Sequence, residues 1–351
     1  MTSHRRRVCF RVDAGSQRGL SFGHLFRCLE IANELKASHD IESVFVMRDI
    51  TEGIETAKNF GLNLISLSQD LSVEDEVEAL LEVPGDTIIF DLIDAETRDF
   101  SPLHKIGKKT IALDDFGNKS IAADILINGS AVKETRNYPV PGGLKQEHYL
   151  GPEYCVIGNR FGQTSPAPIN SQARHILATF GGSDPTNLSS HTADALLELP
   201  NTFQVTILLG PGYKKRDFLA GIVAQRNQPG FSIKKNVPDV LSEILWADIV
   251  ITAGGRMVYE VAATGTPLIM IPSIEHEEPV SSAIAGYGAG IDLGRWKPST
   301  KKLLLKEIEK LGSRKARQLM QRRQLGIIDG LGLARVSNVI AQSDHPYVSS
   351  S

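Results

Sequence analysis

Short apolar runs alternate with stretches of helical period along the first half of the chain. The strand-like runs are VCFRV, SVFVM, LNLISL, DTIIFDL, KTIALDD and DILIN, and between them lie a segment opening near His24, TEGIETAKNFG and VEDEVEALLEV. Strands that are apolar along their length and separated by amphipathic segments belong in parallel sheets covered on both faces. The first half therefore predicts a Rossmann-like domain. The pattern restarts at RHILATF, with a helix from about Asn187, then FQVTILLG, a helix from Lys214, FSIKKNV, DVLSEILWA, DIVITAGG, VYEVAATG, TPLIMIP and AGIDLG. A second doubly wound domain follows from the same reasoning.

QTSPAPINSQA, residues 163–173, is rich in proline and serine without periodicity and reads as the linker. The expected division is an N-terminal domain over 1–165, a C-terminal domain over 166–345 including the late helical segments, and a disordered tail over 346–351. Open parallel sheets bind ligands outside the carboxyl ends of their strands, so two such domains predict a cleft with its chemistry in strand-to-helix loops.

With 351 residues there is enough chain for two cores. A composition of 41% hydrophobic and 23% charged residues with a net charge of -3 is that of an ordinary globular protein, and it lacks the basic excess of a nucleic-acid binder. The basic run His4-Arg5-Arg6-Arg7 leads straight into a strand and reads as a solvated terminus. No stretch approaches the ~20 apolar residues of a membrane span, which predicts a cytoplasmic protein. Cys9, Cys28 and Cys155 share no close spacing, so neither a disulfide nor a metal site is expected.

Three loops carry candidate chemistry. In the first, the strand Val8–Val12 ends at Asp13, small residues follow (Gly15, Ser16, Gly19, Ser21, Gly23), and a helix begins near His24. Free amides at a helix start favour an anion, and an imidazole there is placed to take a proton from water or an alcohol. The same pattern also suits a histidine that only caps the helix. The second is FGGSDPTNL, where Gly181 and Gly182 permit a tight turn, Ser183 and Asp184 can cap, and the following amides can meet a diphosphate; a plain capped turn explains it equally well. In the third, a strand ends at Gly254-Gly255, and Glu260 follows Arg256 by one helical turn. Glu260 is a candidate ribose ligand or half of an exposed i, i+4 ion pair. Asp91, Asp114, Asp115 and Asn128 all stand at strand ends, where they can orient His24, bind sugar hydroxyls or form turns.

Taken in order, RVDAGSQRGLSFGHLFRCLEIA, LDDFGN, ADILIN, YLGPEYCVIGNRF, FGGSDPTNL, NVPDVLSEILWADIVITAGGRMVYEVAATGTPLIMIP and IDGLGLARV resemble the UDP-sugar hydrolases of the pseudaminic acid pathway and their spore-coat-polysaccharide relatives. These are similar in turn to inverting glycosyltransferases of the two-Rossmann B type. The resemblance spans about residues 7–340. It implies metal-independent, cofactor-free hydrolysis of UDP-2,4-diacetamido-2,4,6-trideoxy-β-L-altrose, with water attacking the anomeric carbon and the configuration inverting. His24 matches the general base and Asp13 lies in the same matched loop, with Gly23 and Arg27 beside it; Gly181–Asp184 match the diphosphate loop, Glu260 the ribose ligand, and Val237 lies in the matched uracil segment.

Two departures fall on the sugar side. The family's strand-end Asp-His-Tyr is Asp91-Leu92-Ile93 here, and its late Asn-Gln pair is replaced by SIEHEEP, where His276 and Glu277 become candidate sugar ligands. A glycosyltransferase using the same donor and a non-catalytic nucleotide-sugar-binding subunit are the competing expectations.

Overall fold

The structure, a computed structural model, describes residues 6–15, 20, 22–142, 144–210, 212–215, 219–221, 224 and 230–343. The loop residues Ser16, Gly19 and Ser21, the residues His4 and Arg5, most of the expected helix after Lys214, and the expected disordered tail lie outside the described residues.

One compact unit runs to Gly158 and takes up the chain again from Leu331; the other is Asn159–Gly330. In the first, β1 (Arg7–Val12), β2 (Glu42–Arg48), β3 (Leu64–Leu67), β4 (Thr87–Asp91), β5 (Lys109–Leu113), β6 (Ile125–Asn128) and β7 (Glu147–Leu150) form one sheet in the order β3-β2-β1-β4-β5-β6-β7. Every pairing is parallel. The order reverses between β1 and β4, which is the switch point where such sheets open a crevice.

The helices are α1 (Gly23–His39), α2 (Thr51–Asn59), α3 (Val73–Leu81) and the short α4 (Ser101–Lys105). In α1, Leu25, Cys28, Ile31, Ala32 and Leu35 recur at helical spacing and are all buried. Alternation along β1 divides its side chains: Val8, Phe10 and Val12 join the core that includes Leu25 and Ile31, whereas Cys9 joins the opposite core with Leu80 and Phe100.

The second unit has β8 (His175–Thr179), β9 (Gln204–Leu209), β10 (Phe231–Lys235), β11 (Ile249–Thr252), β12 (Leu268–Met270) and β13 (Ile291–Asp292) in the order β10-β9-β8-β11-β12-β13, again all parallel. Around it stand α5 (Leu188–Leu196), α6 (Val240–Trp246), α7 (Met257–Thr264), α8 (Glu278–Gly286), α9 (Thr300–Leu311) and α10 (Arg314–Leu325). Its switch point lies between β8 and β11.

Three expectations need correction. The helix α11 (Gly332–Gln342), expected in the second domain, buries Leu333, Val336 and Ile340 in the first unit's core with α1. The proline-rich stretch is no free linker, because it is strapped to the second unit. Arg317 Nη2 donates to Asn170 O at 3.0 Å, Gln321 Nε2 to Ala167 O at 2.7 Å, and Asn170 Nδ2 to Asp248 Oδ1 at 2.9 Å. Finally, Arg6 and Arg7 are tied to the fold: Arg6 donates to Ala341 O at 2.8 Å and Arg7 to Glu42 at 3.2 Å.

Candidate active site

At the first switch point, α1 begins above the end of β4. His24 and Arg27, at i and i+3, share one face of the first turn, and Asp91 is the last residue of β4. His24 Nδ1 lies 2.6 Å from Asp91 Oδ1. Asp91 is 1% exposed, and it also accepts from Arg27 Nη2 at 2.6 Å, Arg27 Nε at 2.8 Å and Cys28 Sγ at 3.5 Å. Arg27 Nη1 reaches outward to Asp115 at 2.6 Å. Because Asp91 only accepts, Nδ1 carries the proton and Nε2 is left as the ring's acceptor. The 3.2 Å approach of Arg27 Nη2 to Nδ1 therefore sets two donors side by side on one carboxylate oxygen.

Burial by itself would raise the Asp91 carboxyl and lower the imidazole. On Asp91, Arg27 and His24 outweigh burial and hold the acid well below its ordinary range. On His24, burial is outweighed by the Asp91 charge and hydrogen bond, and although Arg27 opposes them the ring is raised above the usual imidazole value.

His24 and Asp91 line a cavity of about 600 Å³ together with Asp13, Arg48, Arg98 and Ile93. Under it runs a second charge network that sequence reasoning missed. Arg11, next to last in β1 and 0% exposed, donates to Asp13 at 2.7 and 2.8 Å and to Glu76 at 2.8 Å. Glu76, also fully buried, accepts in addition from Arg48 at 2.9 Å and Arg98 at 2.8 Å. The guanidinium groups overcome burial and bring the Glu76 carboxyl down to about 2. Two signals were present in the sequence: an arginine inside VCFRV, and Glu76 on the face of α3 shared with Val77 and Leu80.

Asp13 therefore lines the cavity beside His24, yet its oxygens hold Arg11 and the backbone N–H of Arg48 at 2.8 Å. It anchors the ends of β1 and β2. Asp114 and Asn128 are likewise engaged within the fold. Asp114 Oδ2 accepts from the amides of Phe116 and Gly117 and from Tyr138 Oη at 2.6 Å, while Asn128 accepts from Ser130 N and donates to Thr135 O and Tyr138 Oη. Both are buried and both brace the loops behind β5 and β6.

In the second unit the loop after β8 leaves Gly181, Gly182 and Ser183 exposed, with Gly181 at φ +75°. Asp184 is buried, and its two oxygens accept from Leu188 N at 2.7 Å and Ser189 N at 2.8 Å. The amides expected to meet a diphosphate at the start of α5 are thus occupied by the protein's own carboxylate. After β11, a Cβ on Gly254 would lie 2.4 Å from Glu277 O and 2.5 Å from Ser281 Oγ, so glycine is needed for this close approach. Glu277 Oε2 accepts from the N–H and hydroxyl of Ser273 at 2.7 Å each, bracing the turn after β12. His276 on that turn is exposed, as are Gly23 at the head of α1 and the neighbouring Glu275; Val237 is half-buried after Asn236 at φ +53°. Glu260 lies one turn into α7 with Oε1 3.4 Å from Arg256 Nε. Among the described residues no group of three or more His, Cys, Asp and Glu is arranged to hold a metal ion, and no helix is long and apolar enough to cross a membrane.

Residues 176–325 match the family model of the glycosyltransferase family 28 C-terminal domain. The chain is 25% identical over 274 residues to the uncharacterized protein MJ1062 of Methanocaldococcus jannaschii, covering 76% of this chain and 55% of that one. It thus spans only about half the length of that relative. It is 23% identical over 259 residues to the spore coat polysaccharide biosynthesis protein SpsG of Bacillus subtilis, covering 73% of this chain and 76% of SpsG. Among solved structures, MurG of Acinetobacter baumannii superimposes with a TM-score of 0.70 at 14% identity, covering 96% of this chain and 99% of that one. The glycotransferase of kitacinnamycin gives 0.66 at 13% identity, covering 97% and 100%. The spinosyn rhamnosyltransferase SpnG complexed with thymidine diphosphate gives 0.56 at 14%, covering 95% and 100%. The two parallel sheets and their helices therefore make the two-domain α/β fold of the B-type glycosyltransferases.

Proposed function

We propose that the protein is a nucleotide-sugar enzyme of polysaccharide biosynthesis that cleaves a UDP-linked amino sugar by base-assisted attack of water at the anomeric carbon, with inversion. The observation that carries this reading is His24: its Nδ1 is fixed on a buried carboxylate, its Nε2 is left as acceptor, and the ring lines a cavity of about 600 Å³. A neutral imidazole so held takes a proton from the nucleophile while Asp91 stabilises the imidazolium that forms. The second domain supports the nucleotide side of the reading. Gly181–Ser183 and Gly254-Gly255 stand at strand ends flanking its switch point, Glu260 lies in the first turn of the helix that follows Gly255, and a thymidine diphosphate complex is known for SpnG. On the sugar side His276 is exposed, whereas Asp114, Asn128 and Glu277 already hold protein partners.

Transfer of the sugar to a hydroxyl acceptor is the second reading, favoured by the match of residues 176–325 to a glycosyltransferase domain. One assay divides them: UDP release from UDP-linked amino sugars by wild type and His24→Ala, with and without candidate acceptors. Hydrolysis predicts release in buffer alone and a loss of ~10²- to 10⁴-fold in the variant, the usual contribution of a general base. Release only on adding an acceptor replaces hydrolysis by transfer, and tight UDP binding without release in either condition refutes both.

A further inference from the structure

We infer that Arg27 is a positioning residue for His24: its guanidinium fork fixes the Asp91 carboxylate that orients the ring, and takes up the part of the Asp91 charge that would otherwise hold the ring as an imidazolium. The inference rests on reading His24 as the base.

Asp91 has two oxygens and four donors. Arg27 binds both oxygens, at 2.8 and 2.6 Å, in the parallel geometry that only a guanidinium supplies, so the carboxylate plane is set by Arg27 and the ring takes the remaining direction of Oδ1. The outer edge of the same guanidinium is tied to Asp115 at 2.6 Å, which fixes the fork from the far side. Without Arg27, the buried Asp91 would face His24 and the weak thiol donor of Cys28 alone. A buried carboxylate neutralised by a single partner favours the charged form of that partner, and a protonated imidazole cannot accept the nucleophile's proton.

Among the described residues the charged groups around the ring can be named. Asp91 comes from β4, Arg27 from α1, and Asp115 from the loop after β5. The remaining charges lining the cavity are Asp13, Arg48, Asp94 and Arg98, and these are paired within the second network: Asp13 with Arg11, Arg48 with Glu76, and Arg98 with both Glu76 and Asp94. Among the described residues, Arg27 and Asp115 are therefore the groups that modulate the His24–Asp91 pair.

The test is an NMR-detected imidazole titration of the full chain, with the His24 signal assigned from His24→Gln, alongside the pH profile of UDP release. In Arg27→Met the ring should titrate at higher pH than in wild type, and the acidic limb of the rate profile should rise with it, so that turnover recovers as pH is raised. Arg27→Lys keeps the charge without the fork and should titrate closer to wild type while turning over more slowly. Asp115→Asn removes an anion from a half-exposed position without touching Asp91 and should move the ring the other way, to lower pH. An unchanged or lowered titration in Arg27→Met overturns the inference. If that variant does not fold, an unchanged or raised titration in Asp115→Asn overturns it instead. Titrations that move as expected in a protein releasing no UDP would leave the clamp standing and remove the hydrolase reading.

Discussion

Replacing Glu76 by Gln tests the charge network beneath the cavity. The carboxylate is completely buried and accepts guanidinium hydrogen bonds from Arg11, Arg48 and Arg98, of which Arg11 is itself fully buried. An amide of the same shape keeps one acceptor but returns no charge, so buried cations lose their counter-ion. Removing one partner of a buried pair costs ~3 to 5 kcal/mol. The acid side gives a similar figure: a carboxyl brought from 4.5 to about 2 corresponds to about 3 kcal/mol of stability. Because the folded-state value is depressed, that stability is present above pH ~4.5 and is lost as pH falls towards 2. With a urea slope of ~2 kcal/mol per molar, the first unit of Glu76→Gln should unfold about 1.5 to 2.5 M earlier than wild type at pH 7. The assay is a urea titration followed by far-UV circular dichroism and by tryptophan fluorescence. Both tryptophans, Trp246 and Trp296, belong to the second unit, so the fluorescence transition should stay in place while an early dichroism phase appears. Below pH 4.5 the difference between variant and wild type should shrink. Coincident wild-type and variant dichroism curves at pH 7 would refute the view that Glu76 neutralises the three arginines.

Asp184→Ala should destabilise the second unit by ~1 to 2 kcal/mol, the cost of a lost helix cap, and Trp296, whose ring stacks on His191 of α5 at 5.3 Å, should report it by fluorescence. Gly254→Ala should cost ~1 to 3 kcal/mol through overpacking against Glu277 O and should abolish the thermal shift that UDP gives the wild type; an unaltered shift would place the nucleotide elsewhere. Burial pushes the Cys9 thiol up to about 12, so at pH 8 it should resist iodoacetamide in the folded protein and react only after denaturation, as read by mass spectrometry.

The strands of both sheets were legible because buried parallel strands are apolar along their whole length, whereas the sequence offered Asp91, Asp114, Asp115 and Asn128 at strand ends near His24 and only the structure singles out Asp91. Other features depend on contacts that no local pattern encodes. The apolar stripe Leu333, Val336 and Ile340 announces a buried face on α11 but not whose core receives it, so the return of the last helix to the first unit was missed. In FGGSDPTNL the same residues suit a phosphate loop or a capped turn, and only the structure shows that the Asp184 oxygens cap Leu188 N and Ser189 N while Gly181–Ser183 stay exposed. Arg11 sits inside an apolar run, where a lone charge carries no sign of the buried acid, 65 residues later in the chain, that makes its place tenable.

Of the acids that line the cavity with His24, Asp13 and Asp91 stand at strand ends, and local geometry assigns them different work. Arg11 precedes Asp13 by two residues on the same face of β1, so its guanidinium folds onto that carboxylate. The first turn of α1 instead lays His24 and Arg27 over Asp91. The lower network then balances, with Arg11, Arg48 and Arg98 against Asp13, Glu76 and Asp94. The upper one does not, because among the described residues Arg27 alone pairs as a permanent cation with Asp91 and Asp115. On the reading of His24 as base, the proton it takes from the nucleophile supplies the missing positive charge. The balance is reached only as the reaction proceeds, which is where an electrostatic contribution lowers the barrier instead of merely tightening binding.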